Sequence, residues 1–426
     1  MRIKSVKIEN FRGLRDERIE FHENLTVFAG RNGSGKSTVL EAIAIMLSWL
    51  PVRISNCAGG GKKIRPPDIR VGADYARISM TLSRNANPLD DITLTLYKNA
   101  RGIRGGETSD MSAAESFGDD MRVKLDGRNA SKTELPVFAH YGASRESCGC
   151  CAPHPDETDD RTLVYRRAFA AGSNFKKMAA WFVHAINTRE YEMQKLSRLP
   201  LKKANAARDG VNRKYAVLTF VRRALTEFSE VFEGFCVRNG ELFLKSKNIP
   251  AKFLSEGEKM VAALLSDIAM RMVAANPHMF NPLESNAVIL IDEIDLHLHP
   301  EWQSSLAEKL PRIFPRAQFI ISSHSPSVMA AARSLYRLND TAASGRFEQV
   351  DSPYGRDPSD LLSSVLNARR ESPSAAKIAE MYAALDAADF ERAQTVIGEL
   401  NKMIPEDPEV LRGEYLLRAL KPKGAK

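Results

Sequence analysis

Gly30-Arg31-Asn32-Gly33-Ser34-Gly35-Lys36-Ser37 is a complete phosphate-binding loop, preceded by the apolar run Leu25 to Ala29 and followed by the helical pattern Thr38 to Leu50. Glycines let the backbone curl so that several N–H groups converge on one anion, and the helix that opens at Gly35 adds the positive end of its dipole. In this arrangement Lys36 reaches the β- and γ-phosphates of a nucleotide and the Ser37 hydroxyl holds Mg²⁺. The competing reading is a chance match in a glycine-rich turn. A strand pattern before the loop and an amphipathic helix after it argue against that reading.

On the N-terminal side, Arg2 to Ile8 alternates polar and apolar residues, and a second strand pattern runs through Ile19 and Phe21 to Leu25. Two short strands thus deliver the chain to the loop. On the C-terminal side, Pro51 to Asp74 is rich in Gly, Pro and basic residues, and Gly59-Gly60-Gly61-Lys62-Lys63 reads as a mobile surface loop. Strand runs return at Ala76 to Leu82 and Ile92 to Tyr97, the polar stretch Asn99 to Asp120 reads as a flexible turn, and Val137 to Gly142 reads as a buried strand ending in a loop.

Helical spacing of apolar residues resumes from Arg161 to Phe235 and is broken by a basic interruption at Lys195 to Lys214. No heptad persists for three repeats, which excludes a long coiled coil and leaves a short antiparallel lid. The formal charge of the whole chain is +8, yet Arg161 to Leu225 alone holds 15 Lys or Arg against 3 Asp or Glu, so the excess is concentrated in this lid. A surface of that kind could contact DNA or RNA phosphates.

Two continuous apolar strands follow. Ala287 to Ile291 ends in Asp292-Glu293, and Phe319 to Ile321 ends in Ser322-Ser323-His324-Ser325. Such runs suit central parallel strands buried on both faces. Between the lid and these strands, Leu254-Ser255-Glu256-Gly257-Glu258-Lys259 precedes a helix, Met260 to Ala275, that is apolar on most faces. Ser255 and Glu258 have the spacing of a capping box.

A chain of 426 residues, 43% of them hydrophobic, can bury a large core in about two to three structural units. No apolar run approaches the roughly 20 residues of a membrane span, and Met1-Arg2-Ile3-Lys4 leads into a strand rather than a signal peptide, so the expectation is a cytoplasmic protein with no membrane contact. Five cysteines, three of them at Cys148, Cys150 and Cys151 with His154 close by, do not form a secreted disulfide framework. Their spacing is unlike the usual zinc pairs. Reduced loop thiols are the plain reading, and a metal or redox site is the alternative.

Taken in order, these motifs resemble the ABC-type ATPase head of the RecF, Rad50 and SMC group over Met1 to about Leu338. The resemblance implies an α/β P-loop fold with a mixed sheet, an inserted helical lid and a small C-terminal helical tail. The expected boundaries are head residues 1–160 with Walker A, lid 161–235, head residues 236–340 with signature, Walker B and switch histidine, and tail 355–426. It further implies that ATP is held by Asn32, Gly33, Ser34, Gly35, Lys36, Ser37 and Thr38, that Ser37 and Asp292 hold Mg²⁺, and that Glu293 polarises the attacking water. His324 corresponds to the switch histidine, and Arg12, in Asn10-Phe11-Arg12-Gly13, stands where such heads place a basic residue near nucleotide or DNA. Ser255 and Gly257 belong to the signature motif, which binds the γ-phosphate held by an opposite protomer, so a homodimer through the nucleotide sites is implied. Ile294 to Pro300 corresponds to the D-loop, a reading preferred to a zinc site at His297 and His299.

One departure is visible. The family places a glutamine after the strand at Val137 to His140, where it contacts Mg²⁺ and relays nucleotide state to the lid; no glutamine occurs between Lys132 and Arg161. Tyr141 and Arg145 are the candidates to replace it.

After Leu338 a Gly- and Pro-containing linker leads to helical patterns at Asp360 to Arg369, Ala375 to Leu385, Asp389 to Met403 and Pro408 to Leu420. Leu385 to Ala393 looks like part of a tetratricopeptide-type pair, which alone is expected to need a surface to dock on. This architecture, with the Tyr141-Gly142 and Tyr354-Gly355-Arg356-Asp357 regions, is most similar to the stand-alone ATPases of bacterial antiphage systems, Septu and retron-associated. That similarity implies a regulatory ATPase acting on a separately encoded HNH-type nuclease. The alternatives are a RecF-like repair ATPase that binds duplex DNA and an ATP-bound scaffold with little turnover.

Overall fold

The computed structural model describes residues 1–55, 60–84, 90–103, 105–128, 130–143, 160–170, 174–198, 200–338, 347–366, 373–405 and 407–420. The Cys148, Cys150, Cys151 and His154 cluster and Arg145 lie outside them. In chain order, the first part contains β1 (Arg2–Glu9), β2 (Asp16–Glu20), β3 (Leu25–Ala29), α1 (Lys36–Leu47), α2 (Trp49–Ile54), β4 (Tyr75–Ser83), β5 (Ile92–Asn99), α3 (Ser112–Asp126) and β6 (Val137–Tyr141). The segment 161–235, expected to be a lid, supplies α4 (Phe175–Leu196), α5 (Leu201–Lys214) and α6 (Ala216–Phe228). There follow β7 (Phe235–Arg238), β8 (Glu241–Leu244), β9 (Ile249–Pro250), α7 (Glu256–Ala275), β10 (Ala287–Ile291), α8 (Pro300–Ile313), β11 (Ala317–Ser323), α9 (Pro326–Ala330), β12 (Ser334–Leu338) and β13 (Phe347–Val350).

The central sheet has the order β13-β12-β3-β11-β10-β6, parallel except for β13. Every residue of β3, β6, β10 and β11 is buried, as apolar runs without alternation require when helices cover both faces. A second, antiparallel sheet, β2-β1-β4-β5, alternates buried and exposed positions instead. Gln318 ties the two sheets together: its side chain accepts from Ile3 N at 2.7 Å and donates to Ile3 O at 2.9 Å. A three-stranded meander, β7-β8-β9, leads into α7.

Register puts the functional strand ends at one edge. Ala29 pairs with Ser323 and Ile321 with Ile291, so the phosphate loop, His324 and Asp292 leave three adjacent strands at the same level. In parallel sheets this carboxyl edge is where ligands bind.

Four expectations are corrected. The stretch expected to be a flexible turn holds α3, whose Ala114, Phe117 and Met121 recur at helical spacing and are buried; its polar outer face hid the pattern. Gly60 to Lys63 is anchored rather than mobile, because Lys62 N donates to Ser48 Oγ at 2.7 Å, Trp49 Nε1 donates to Lys62 O at 2.9 Å, and a Cβ on Gly61 would lie 2.6 Å from the Trp49 ring. The basic interruption at Lys195 to Lys214 itself holds a helix, α5, joined to α4 by Arg189 with Asn212 and Glu192 with Lys214. Lastly, 36–54 does have the length and apolarity of a membrane span, but most of it is packed inside the protein as α1 and α2.

Residues Leu362–Lys426 form a separate compact unit. After α10 (Pro358–Leu366), helices α11 (Pro373–Asp386), α12 (Phe390–Met403) and α13 (Pro408–Leu420) enclose their own small core around Met381, Leu400 and Val410. The helical tail therefore buries apolar residues among its own three helices, where a single helical pair was expected to need an outside surface.

Candidate nucleotide site

The loop after β3 is held by its own packing. A Cβ on Gly30 would sit 2.7 Å from Ser34 Oγ and 3.1 Å from Leu338 Cβ, so only glycine lets the loop lie this close to β12. Gly33 and Gly35 take positive φ, +79° and +111°, and turn the chain into α1. Lys36, 5% exposed, donates from Nζ to the carbonyls of Gly30 and Arg31 at 2.9 Å each and approaches His324 Nδ1 at 3.5 Å. Asn32, Gly33 and Ser37 are exposed around it, Gly35 and Thr38 are partly exposed, and the buried Ser34 Oγ has no hydrogen-bond partner among the described residues.

At the end of β10, Ser322 serves two residues at once. Its hydroxyl donates to Asp292 Oδ1 and accepts from Glu293 N at 2.8 Å. Glu293 has φ +47°, a left-handed backbone that a non-glycine residue adopts only under constraint. The bond from its N–H to Ser322 is one such constraint, and it fixes the peptide that carries the carboxylate. The D-loop is fastened to the same strand end: Ile294 N donates to Ser322 O at 3.1 Å, and His324 N donates to Asp295 Oδ2 at 3.3 Å. Asp292 is 6% exposed.

These groups suit a nucleotide with Mg²⁺. Ser37 Oγ and the Asp292 carboxylate are hard oxygen donors of the kind Mg²⁺ takes, and the N–H groups opening α1 provide an anion site. Among the described residues no group of three or more His, Cys, Asp or Glu side chains could hold a metal, and His297 and His299 do not form one.

On the other face of β6, His140 is 8% exposed. Burial, opposed by Glu41 and reinforced by Lys62, holds its imidazole below the ordinary pKa. Lys62 also reaches Glu41 of α1 at 3.4 Å.

The signature segment forms a separate cluster. Ser255 caps α7, accepting from Glu258 N at 3.2 Å, while Ser255 N donates to Glu258 Oε2 at 2.9 Å, a reciprocal capping box. Partial burial acts to raise the pKa of Glu258, but the ion pair with Lys247 and the bonds from Ser255 outweigh it and hold the carboxyl below its usual range. A Cβ on Gly257 would lie 2.6 Å from His297 O, so this glycine packs directly on the segment Ile294 to Pro300 of its own chain. The structure thus brings Lys36, Asp292, Glu293 and His324 together, whereas the bonds and close contacts of Ser255 and Gly257 run to Glu258, His297 and Leu298.

Residues 1–142 match the family described as "AAA ATPase domain", and residues 202–330 match "AAA domain, putative AbiEii toxin, Type IV TA system". The chain is 26% identical over 381 residues to "Retron Ec83 probable ATPase" of Escherichia coli, covering 77% of this chain and 69% of that one. It is 25% identical over 355 residues to "Septu protein PtuA" of Bacillus thuringiensis, covering 82% and 77%. The chain is similar to the ATPases of retron and Septu systems. Among solved structures, the chain is similar to the "SMC head domain from Thermotoga maritima", at 17% identity and a TM-score of 0.46, over 82% of this chain and 100% of that one.

Two further residues singled out by sequence have their side chains engaged within the fold. Arg12, with φ +50°, donates from Nε to Asp68 Oδ1 at 2.9 Å, so its guanidinium is engaged by a carboxylate of the neighbouring turn. Tyr141 does not stand in for the missing glutamine through its side chain, which is fully buried and donates to Asp267 Oδ2 of α7 at 2.7 Å. Sequence reading missed Ser322, whose only signal was a run of polar residues at the end of an apolar strand.

Proposed function

We propose that this ATPase binds and hydrolyses ATP between two copies of itself and, through that cycle, regulates a separately encoded HNH-type nuclease in an antiphage system. The observation that carries the reading is the convergence of Lys36, Asp292, Glu293 and His324 at one edge of three adjacent parallel strands. The names of the relatives supply the biological setting.

In this reading the loop N–H groups and Lys36 bind the phosphates, and Ser37 with Asp292 holds Mg²⁺, which when bound neutralises phosphate charge. Glu293, fixed through its backbone to Ser322, accepts a proton from the attacking water. His324 contacts the γ-phosphate from the neighbouring strand. Ser255 and Gly257, at the N-terminus of α7, meet the γ-phosphate of the partner's ATP. Residues 1–160 and 236–340 work as the head, the basic lid 161–235 contacts nucleic acid, and the tail 355–426 binds a partner.

The test is co-purification with the product of the neighbouring gene, followed by nuclease assay with ATP, without ATP and with Glu293→Gln. Glu293→Gln is expected to keep ATP affinity and to lose about 10²- to 10⁴-fold in turnover. Nuclease activity that follows nucleotide state supports the proposal. A chain that purifies alone and whose turnover rises with duplex DNA supports the RecF-like reading, and ATP retained without turnover supports the scaffold.

A further inference from the structure

Tyr141, Asp267 and Arg271 are 0%, 2% and 0% exposed. The Asp267 carboxylate accepts from Tyr141 OH and from Arg271 Nε, both at 2.7 Å on Oδ2, and Arg271 donates onward to Val164 O at 2.6 Å. The cluster and its acceptor Val164 join three elements. Tyr141 ends β6, and its carbonyl accepts from Asp292 N at 2.8 Å, one peptide before Glu293. Asp267 and Arg271, four residues apart, share one face of the signature helix α7, with Asp267 about 15 Å along the helix from Gly257. Val164 lies in the turn Arg161–Tyr165, which precedes α4 in the chain with the short helix Ala168–Ala170 between them.

A second clamp fixes the same root. Arg161 donates to the carbonyls of Ala130, Thr133 and Ala275, and Tyr165 OH donates to Pro136 O at 2.7 Å. The lid root is therefore bolted both to the segment entering β6 and to the C-terminal end of α7. The middle of α7 reaches it through Arg271.

Taking a carboxylate and a guanidinium out of water costs several kcal/mol per ion before their attraction is counted, and an apolar pair of similar volume would hold the helix without that cost. What an apolar pair lacks is direction: a shared carboxylate oxygen fixes the angle of α7 against both β6 and the lid root. We infer that the Tyr141–Asp267–Arg271 cluster is the positioning element that couples the Asp292–Glu293 strand end to the signature helix and to the lid, in a chain that has no glutamine after β6. The inference rests on the ATP-driven reading above. Tyr141 acts through its neighbours and touches neither nucleotide nor water at the site.

The test uses the full chain and Tyr141→Phe, which removes one hydroxyl and keeps the ring. Melting temperature, ATP affinity, turnover and ATP-induced hydrogen exchange over 160–198 are compared with the wild type. The expected result is wild-type melting within a few degrees, unchanged ATP affinity, loss of the ATP-induced change in lid exchange and a fall in turnover of about tenfold or more. Wild-type lid response and turnover in Tyr141→Phe would overturn the inference, as would a wild-type lid whose exchange ignores ATP. If Tyr141→Phe does not fold, Asp267→Asn carries the same comparison. If the wild type binds ATP without turnover, the hydrolysis reading fails by itself and lid exchange alone decides the inference.

Discussion

Asp292 and Tyr141 end neighbouring strands and share one backbone hydrogen bond, yet the polar clusters built on them differ in kind. Around Asp292, Ser37 and Asn32 are exposed, Lys36 rests on backbone carbonyls, and Glu293 takes a backbone conformation that has to be held. Around Tyr141, the carboxylate accepts from both the phenol and the guanidinium out of contact with water, and the guanidinium also reaches Val164 O. The difference separates a ligand site from a joint. A ligand site keeps groups whose best partner is yet to come, and a joint closes its hydrogen bonds within the fold.

The sharpest way to break that comparison is at the joint. Arg271→Ala leaves Asp267 charged and buried, and is expected to cost about 3–5 kcal/mol of stability in urea or thermal unfolding. Asp267→Leu combined with Arg271→Met should recover most of it. If Arg271→Ala unfolds like the wild type, the cluster is not sealed in the way its burial indicates.

At the site the expectation reverses. Lys36→Ala should weaken ATP binding by roughly 100-fold in calorimetric titration, as loss of a charge-assisted phosphate contact predicts. Its unfolding midpoint should remain near that of the wild type, because the amine's hydrogen bonds to Gly30 O and Arg31 O lie within the loop itself. A large loss of stability would make Lys36 part of the joint.

The smallest effect lies at the signature cap. The folded pKa of Glu258 is depressed below its unfolded value of about 4.5, so its contribution is present above that pH and is lost as pH falls through the lower, folded value. The stability gap between the wild type and Glu258→Gln, under about 1 kcal/mol for an ion pair at the surface, should therefore close as the pH is lowered from 5 towards about 3. A gap that persists at the acid end would mean that packing, and not the charge, fastens the cap.

Much of this was legible before any coordinates. Strand, loop and helix around Lys36, and apolar strands ending in Asp292-Glu293 and at His324, follow from local patterns that burial on both faces makes continuous. What stayed hidden depended on distance in space. Ser322 is one of several serines in sequence, and only the pairing of β10 with β11 places it between Asp292 and Glu293. Asp267 and Arg271 carry a readable signal, opposite charges four apart on a helix apolar on most faces, but the same spacing serves exposed pairs equally well. Helix α3 was lost because its outer face is polar and its buried residues are few. The carboxylate that engages Arg12, Asp68, comes 56 residues later in the chain and could not be read from the local pattern.

The strand order also sets a schedule for synthesis. β3 lies between β12 and β11, so the strand carrying the phosphate loop waits for partners that leave the ribosome nearly 300 residues after it, roughly 15–60 s at common elongation rates. During that interval β3, apolar almost throughout, has no strand to pair with, and α1 has β4 and β5 to pack on but not yet β11. A nascent chain halted before β11 would present the loop sequence without the loop, and would be a natural client for chaperones that shield unpaired strands.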